Sequence, residues 1–301
     1  MSGAPGDAAA RSGTRGWRAW VAGARPRTLP AALVPVVVGT AVAHASGRIV
    51  WWHAALALVV ALAMQVGTNY ANDYSDGVRG TDEVRVGPVR LVAGGIASPR
   101  AVKRAAVATF ATGAIAGLAL SIATSPWLVL VGAASIAAGW LYTGGPRPYG
   151  YMGLGELFVF VFFGLVATVG TSYVASGRVT ALAVVASVPV GLLAVALLVV
   201  NNLRDIPTDA RSGKRTLAVL LGDRATRRSY AAVVALAVAF SAVAAVWRPF
   251  ALLGLVAAVA ALRPARVVLG GASGRDLVPA LQMTGALQIV FGALLALGIA
   301  L

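Results

Sequence analysis

Nine apolar stretches, separated by short segments rich in Arg, Gly, Pro and Asp, run along the 301-residue chain at about 29–46, 50–71, 101–123, 126–143, 154–175, 180–202, 229–246, 249–262 and 279–301. Most are apolar all round, a pattern that suits helices surrounded by lipid or by other helices rather than helices with one wet face. A helix needs about 20 residues to cross a bilayer, and nearly all of the stretches approach that length. The pattern predicts an all-α, polytopic membrane protein with about nine transmembrane helices. The eighth stretch, ended by Arg263 and Pro264, is the shortest.

Charge sets the expected orientation. Of the 25 Lys and Arg, 22 fall before the first stretch or in the connections after the second, fourth, sixth and eighth, and only Arg48, Arg178 and Arg248 fall in the others. Basic loops stay cytoplasmic, so the N-terminus is expected inside and Leu301 outside. Trp51, Trp52, Trp127 and Trp247 then mark the outer interface, and Trp17, Trp20 and Trp140 the inner one. Residues 1–23 read as a polar, disordered N-terminal segment and 24–301 as a single intramembrane domain.

Composition removes the competing classes. The chain is 59% hydrophobic and 12% charged, against about 25% charged for soluble domains. Its net charge of +15 fits loops beside an anionic lipid surface, not a nucleic-acid partner. The absence of cysteine excludes disulfides, thiolate metal sites and a thiol nucleophile.

Only ten carboxylates are present, and six of them stand in two clusters at the cytoplasmic ends of the second and sixth stretches: NYANDYSDGVRGTDEVRVGPVR and NNLRDIPTDARSGKRTL. Asn69, Asn72, Asp73 and Asp76 follow a spacing of i, i+3, i+4 and i+7, which places them on one helix face. Asn201, Asp205 and Asp209 follow i, i+4 and i+8, with Pro207 expected to disturb the last turn. Oxygen ligands without His or Cys suit a hard cation, and Mg²⁺ is commonly held by one or two carboxylates together with substrate phosphates. Phosphate-binding cations are adjacent in sequence: Arg79, Arg85 and Arg90 after the first cluster, and Arg204, Arg211, Lys214 and Arg215 in and after the second. Ionisable residues at membrane depth carry function by default. A third polar patch, Tyr142 to Arg147 with Glu156 beyond it, is a candidate for substrate contact. His44 and His53 are expected to be interfacial, and the positive-inside bias is the better explanation for Arg85, Arg224, Arg227 and Arg228.

These residues carry a family resemblance. NDYSDGVRGTD followed by GPVR, and DIPTDARSGKRTLAVLLG, resemble the two aspartate-rich motifs of the UbiA-type intramembrane prenyltransferases. ARPRTLPAALVPVVVG, YTGGPRPYGYMGLGE and the GKRTL ending resemble the branch that prenylates 1,4-dihydroxy-2-naphthoate for menaquinone synthesis. The resemblance spans roughly Ala24 to Gly222. It implies that Asn72, Asp76, Asp205 and Asp209 hold Mg²⁺ against a polyprenyl diphosphate, with Asp73 and Asp82 in support. The third acid arrives at Asp82, because Gly80 stands four residues after Asp76. Substrate contacts are then expected from Asn69, Arg79, Arg90, Tyr142, Arg147, Asn201, Arg204, Lys214 and Arg215, with an aromatic acceptor as the second partner. Demethylmenaquinone would be the product, in the cell membrane with the site near the cytoplasmic face. Two other readings stay open at this point: another acceptor such as 4-hydroxybenzoate, and an ion-coupled transporter.

Overall fold

The computed structural model describes residues 16–81 and 90–301, and among these residues all regular structure is helical. Residues 16–24 form a short helix α1, where the sequence pattern suggests a disordered segment as far as residue 23. Its apolar residues explain the difference: Trp20 packs edge-on to Tyr70, whose hydroxyl donates to the Trp20 carbonyl. Nine longer helical segments follow: α2 Pro30–Ala45, α3 Trp51–Arg79, α4 Pro99–Ala123, α5 Trp127–Leu141, α6 Gly155–Ser176, α7 Ala181–Arg211, α8 Leu217–Ala244, α9 Pro249–Leu269 and α10 Val278–Ala300. Seven of the helices among the described residues are long and apolar enough to span a membrane. The bent pair formed by residues 16–28 and α2 makes up to eight, and α5 is a shorter apolar helix of 15 residues.

α7 is the hub of the bundle. Leu193, Ala196 and Val200 are buried in a core shared with α2, α8, α9 and α10. A second cluster, around Tyr70, Leu91, Ala106 and Phe110, joins α3 and α4. α6 meets α7 at glycine: a Cβ on Gly164 would lie 2.6 Å from the Gly191 Cα, so only a side-chain-free pair allows this approach. The contact lies within a π-helical turn, Phe160–Val166, that shifts the phase of α6 beside the central cavity.

Four helices run past their apolar stretches, and two of these extensions build the site. α3 continues to Arg79 and stops at Gly80, which takes the left-handed conformation (φ 71°) that favours glycine. α7 continues through Pro207 to Arg211 without interruption. α8 begins at Leu217 and is kinked at Gly222, and there Arg227 is buried rather than topological: it pairs with Asp223 at 2.6 Å and donates to the Val268 carbonyl of α9. Similarly, α9 continues past Arg263 and Pro264. His53 is also buried, its Nδ1 against the Val174 carbonyl, so it joins α3 to α6 rather than facing the interface.

Candidate active site

The helices surround a cavity of about 1340 Å³. Among the described residues α8 and α9 line none of it. One end is polar and is formed where α3 and α7 reach their C-termini. The other end is apolar, with residues such as Val60, Gly117, Val129 and Phe162 from α3, α4, α5 and α6. A charged head group and a long hydrocarbon chain would therefore find complementary surroundings in one continuous space.

The polar wall of α3 is Gln65, Asn69, Asn72 and Asp76, a spacing of i, i+4, i+7 and i+11. Asp73 is turned away from the cavity. Its two carboxylate oxygens accept from the backbone N–H groups of Leu91 (2.9 Å) and Val92 (3.0 Å), which fixes the loop that carries Arg90. On α7 the cavity is lined by Asn201, Asn202, Arg204 and Asp209. Asp205 is not among the lining residues. Arg204 donates to both of its oxygens at 2.7 Å and also to Asn201 Oδ1 at 2.8 Å, making a buried network within one turn.

Asp76 is the centre of the site and is 2% exposed. Lys214 Nζ stands 3.2 Å from Oδ2 and Arg90 3.9 Å from the same oxygen. The Tyr151 hydroxyl donates to Oδ1. Lys214 also lies over the Tyr151 ring, 4.8 Å from its centre. Burial, with the Asp76 carboxylate adding to it, pushes the Tyr151 phenol well above its ordinary value, so it stays a hydrogen-bond donor at neutral pH. Tyr142 is raised in the same way, first by burial and then by Glu156.

The turn between α5 and α6 is fastened over the site. Arg79 donates to the carbonyls of Thr143 and Gly145, and Thr143 Oγ1 donates to Asn72 Oδ1 at 2.8 Å. Arg215 N–H donates to the Tyr151 carbonyl at 3.0 Å, which brings the segment after α7 against this turn. Arg79 is thus a clamp on the rim. Arg147 and Arg215 have exposed side chains and are not among the cavity-lining residues. Glu156 is buried behind the wall, with Oε1 accepting from Asn202 at 3.1 Å. Asp82, with Glu83 and Arg85, lies outside the described residues.

The donor set suits a hard cation. Asp76, Asp209 and Asn72 supply oxygen from two facing helices, and the negative ends of both helix dipoles point at the same place. Among the described residues no three of His, Cys, Asp and Glu gather as a ready-made metal cage. A cation here would accordingly complete its shell with oxygens of a phosphorylated ligand, the usual arrangement for Mg²⁺.

Sequence reasoning missed Tyr149, Tyr151, Gln65 and Arg25, all of which line the cavity. Tyr149 and Tyr151 stand inside the stretch YTGGPRPYGYMGLGE, but nothing in their spacing says that the turn folds back over α3.

Comparison with known proteins agrees with this architecture. Residues 32–298 match the UbiA prenyltransferase family. The chain belongs to that family. It is 53% identical over 277 residues to the 1,4-dihydroxy-2-naphthoate octaprenyltransferase of Mycobacterium tuberculosis, covering 92% of this chain and 95% of the relative. The enzyme of the same name from Escherichia coli is 39% identical over 224 residues, 72% of this chain and 73% of that one. Among solved structures, the UbiA homologue of Aeropyrum pernix superposes with a TM-score of 0.69 at 17% identity, over 88% of this chain and 97% of that one. The Archaeoglobus fulgidus homologue bound to GPP and Mg²⁺ superposes with a TM-score of 0.61 at 14% identity, over 92% and 99%. At these identities the structural likeness concerns the fold.

Proposed function

We propose that this membrane protein transfers a polyprenyl chain from polyprenyl diphosphate to 1,4-dihydroxy-2-naphthoate, releasing diphosphate and CO2 and giving demethylmenaquinol, the reduced form of demethylmenaquinone. The observation that carries the reading is the 53% identity over 92% of the chain to an octaprenyltransferase of that acceptor. The cavity supports it, because its polar end offers carboxylates and cations for a metal-bound diphosphate and its apolar end accepts an isoprenoid.

In this reading Asp76 and Asp209, with Asn72, would hold Mg²⁺, which when bound supplies Lewis-acid neutralisation of the leaving group. Arg90 and Lys214 stabilise the negative charge that grows on the diphosphate as its C–O bond breaks. Tyr142 and Tyr151, both kept protonated, offer donors at the same end. The helices exclude water from the allylic cation. The acceptor ring carbon that carries the carboxylate forms the new C–C bond, and CO2 departs leaving its bonding electron pair in the ring. Asp73 acts by positioning the Arg90 loop, and the Arg204–Asp205 pair by holding Asn201.

A carboxyl-labelled acceptor tests the reaction. In membranes containing the protein, Mg²⁺ and a long prenyl diphosphate, the label is expected in the released gas in a 1:1 ratio with prenylated product. Retained label together with efficient use of 4-hydroxybenzoate would reassign the acceptor.

We infer the orientation from the distribution of basic residues. The N-terminus and the polar end of the cavity face the cytoplasm, Leu301 lies outside, and the chain crosses the cell membrane nine times with residues 24–301 as one domain. Because the chain lacks cysteine, single cysteines can be introduced and treated with an impermeant thiol reagent. Positions 48, 178 and 248 are expected to react in intact cells, and position 211 only after lysis. Labelling of position 211 from outside would overturn the orientation.

A further inference from the structure

Arg25 is the only non-glycine among the described residues with a positive φ (54°), in the left-handed region with ψ 68°. Pro26 keeps the residue before it out of the right-handed helical region, but an extended conformation would satisfy that restriction. The left-handed one is costly for a residue with a β-carbon and free for glycine. The strain is imposed from both sides. Asn69 donates from Nδ2 to the Ala24 carbonyl (2.9 Å) and to Thr28 Oγ1 (3.2 Å), and Gln65 Nε2 donates to the same hydroxyl at 3.0 Å. Thr28 returns its backbone N–H and its hydroxyl to the Arg25 carbonyl, both at 2.9 Å. Two amides of α3 therefore hold residues 24–28, directly before the break at which residues 16–28 bend by 52° into α2.

A position where glycine would fit without strain carries an arginine that lines the cavity. Its backbone stands beside Asn69, away from the diphosphate end. Asn69 lies seven residues before Asp76 on α3, about 10 Å of helix rise. Arg90 and Lys214 gather on Asp76 at the far end of that interval. The two substrates proposed above each bring an anion, the diphosphate and the acceptor carboxylate, and the reacting ring must stand between them. Arg27 and Arg275 also line the cavity, and both are exposed, whereas Arg25 is half-buried.

We propose that Arg25 binds the carboxylate of the aromatic acceptor, its guanidinium fork aimed by the strained backbone that Asn69 and Gln65 enforce. The inference rests on the acceptor being an aromatic carboxylate. A planar fork matches a carboxylate with two parallel hydrogen bonds, and holding it from the side opposite Asp76 directs the ring toward the allylic carbon.

Steady-state kinetics of the full-length protein in membranes test this with Arg25→Gln, Arg25→Lys and Arg25→Gly. Arg25→Gln and Arg25→Gly are expected to raise KM for 1,4-dihydroxy-2-naphthoate about 10- to 100-fold, the range of a hydrogen bond to a charged group. KM for prenyl diphosphate should stay within about twofold, because the charged hydrogen bond lost is not one made to that substrate. Arg25→Lys, which keeps the charge but not the fork, should fall between. 1,4-Naphthalenediol, which lacks the carboxylate, should inhibit all four proteins with the same Ki. Arg25→Gly relaxes the backbone, so its melting temperature should be unchanged or higher while acceptor affinity is lost. An increase in KM for prenyl diphosphate instead, a Ki for the diol that worsens in step with the naphthoate KM, or unchanged kinetics would each overturn the assignment. If the unmodified protein does not prenylate the naphthoate, the functional reading itself fails and this one with it.

Discussion

Replacing Asp76 or Asp209 with asparagine is expected to lower prenyl transfer by at least about 100-fold, the scale seen when one preorganised electrostatic group is removed from a reaction centre. An amide offers one neutral oxygen where the carboxylate offered two charged ones. At Asp76 the change also deprives Lys214 and Arg90 of their shared partner, at 3.2 and 3.9 Å. Asp223→Asn is the natural comparison. That side chain is 59% exposed, pairs with Arg227 and lies outside the cavity, so transfer should stay within about twofold, as for surface changes remote from a site. The measurement is turnover in membranes at saturating acceptor, with the amount of folded protein determined for each variant. Half of the normal rate in Asp76→Asn would remove this residue from the reaction centre.

The membrane bundle was legible because lipid forces all backbone polar groups to be satisfied within helices, which leaves apolar length as a nearly sufficient signal. Helix ends were less legible. α3 and α7 run on through polar residues to Arg79 and Arg211 because the cavity and the loops above it, not lipid, surround those last turns. Helical spacing brought Asn69, Asn72 and Asp76 together correctly, yet it could not separate Asp73 from them. At i+4 from Asn69 the carboxylate stands at the edge of the face, and the N–H groups of Leu91 and Val92 decide which way it turns. Those partners are 18 and 19 residues away, beyond any local pattern. The same limit applies to Tyr151, 75 residues from the Asp76 oxygen it donates to. Arg25 was hidden for another reason: an arginine before a proline gives no sequence sign of a left-handed backbone. Arg147 is a lone base in its loop, a pattern that suggests substrate contact, while its side chain is exposed and outside the cavity lining.

Asp205 is where the motif and the geometry suggest different roles, and the second large effect follows from the geometry. Its side chain is 1% exposed and that of Arg204 is 2% exposed, with two charged hydrogen bonds between them. Removing one partner of a buried pair strands the other charge and typically costs about 3–5 kcal/mol. Asp205→Asn should therefore lower the melting temperature of the purified protein markedly in the absence of Mg²⁺ and of substrate. Activity should fall as well, because Arg204 also holds Asn201 at the cavity wall. A buried pair can often be exchanged for apolar residues of similar size with little loss of stability, so Arg204→Met combined with Asp205→Leu should regain much of the melting temperature without regaining transfer. A direct metal ligand would behave in the opposite way: Asp205→Asn would melt like the unmodified protein and lose only the Mg²⁺-dependent binding of prenyl diphosphate. Thermal melts with and without Mg²⁺, set beside prenyl diphosphate binding over a range of Mg²⁺ concentrations, separate the two. An unchanged melting temperature together with a large rise in the Mg²⁺ requirement would return Asp205 to the ligand set beside Asp76 and Asp209.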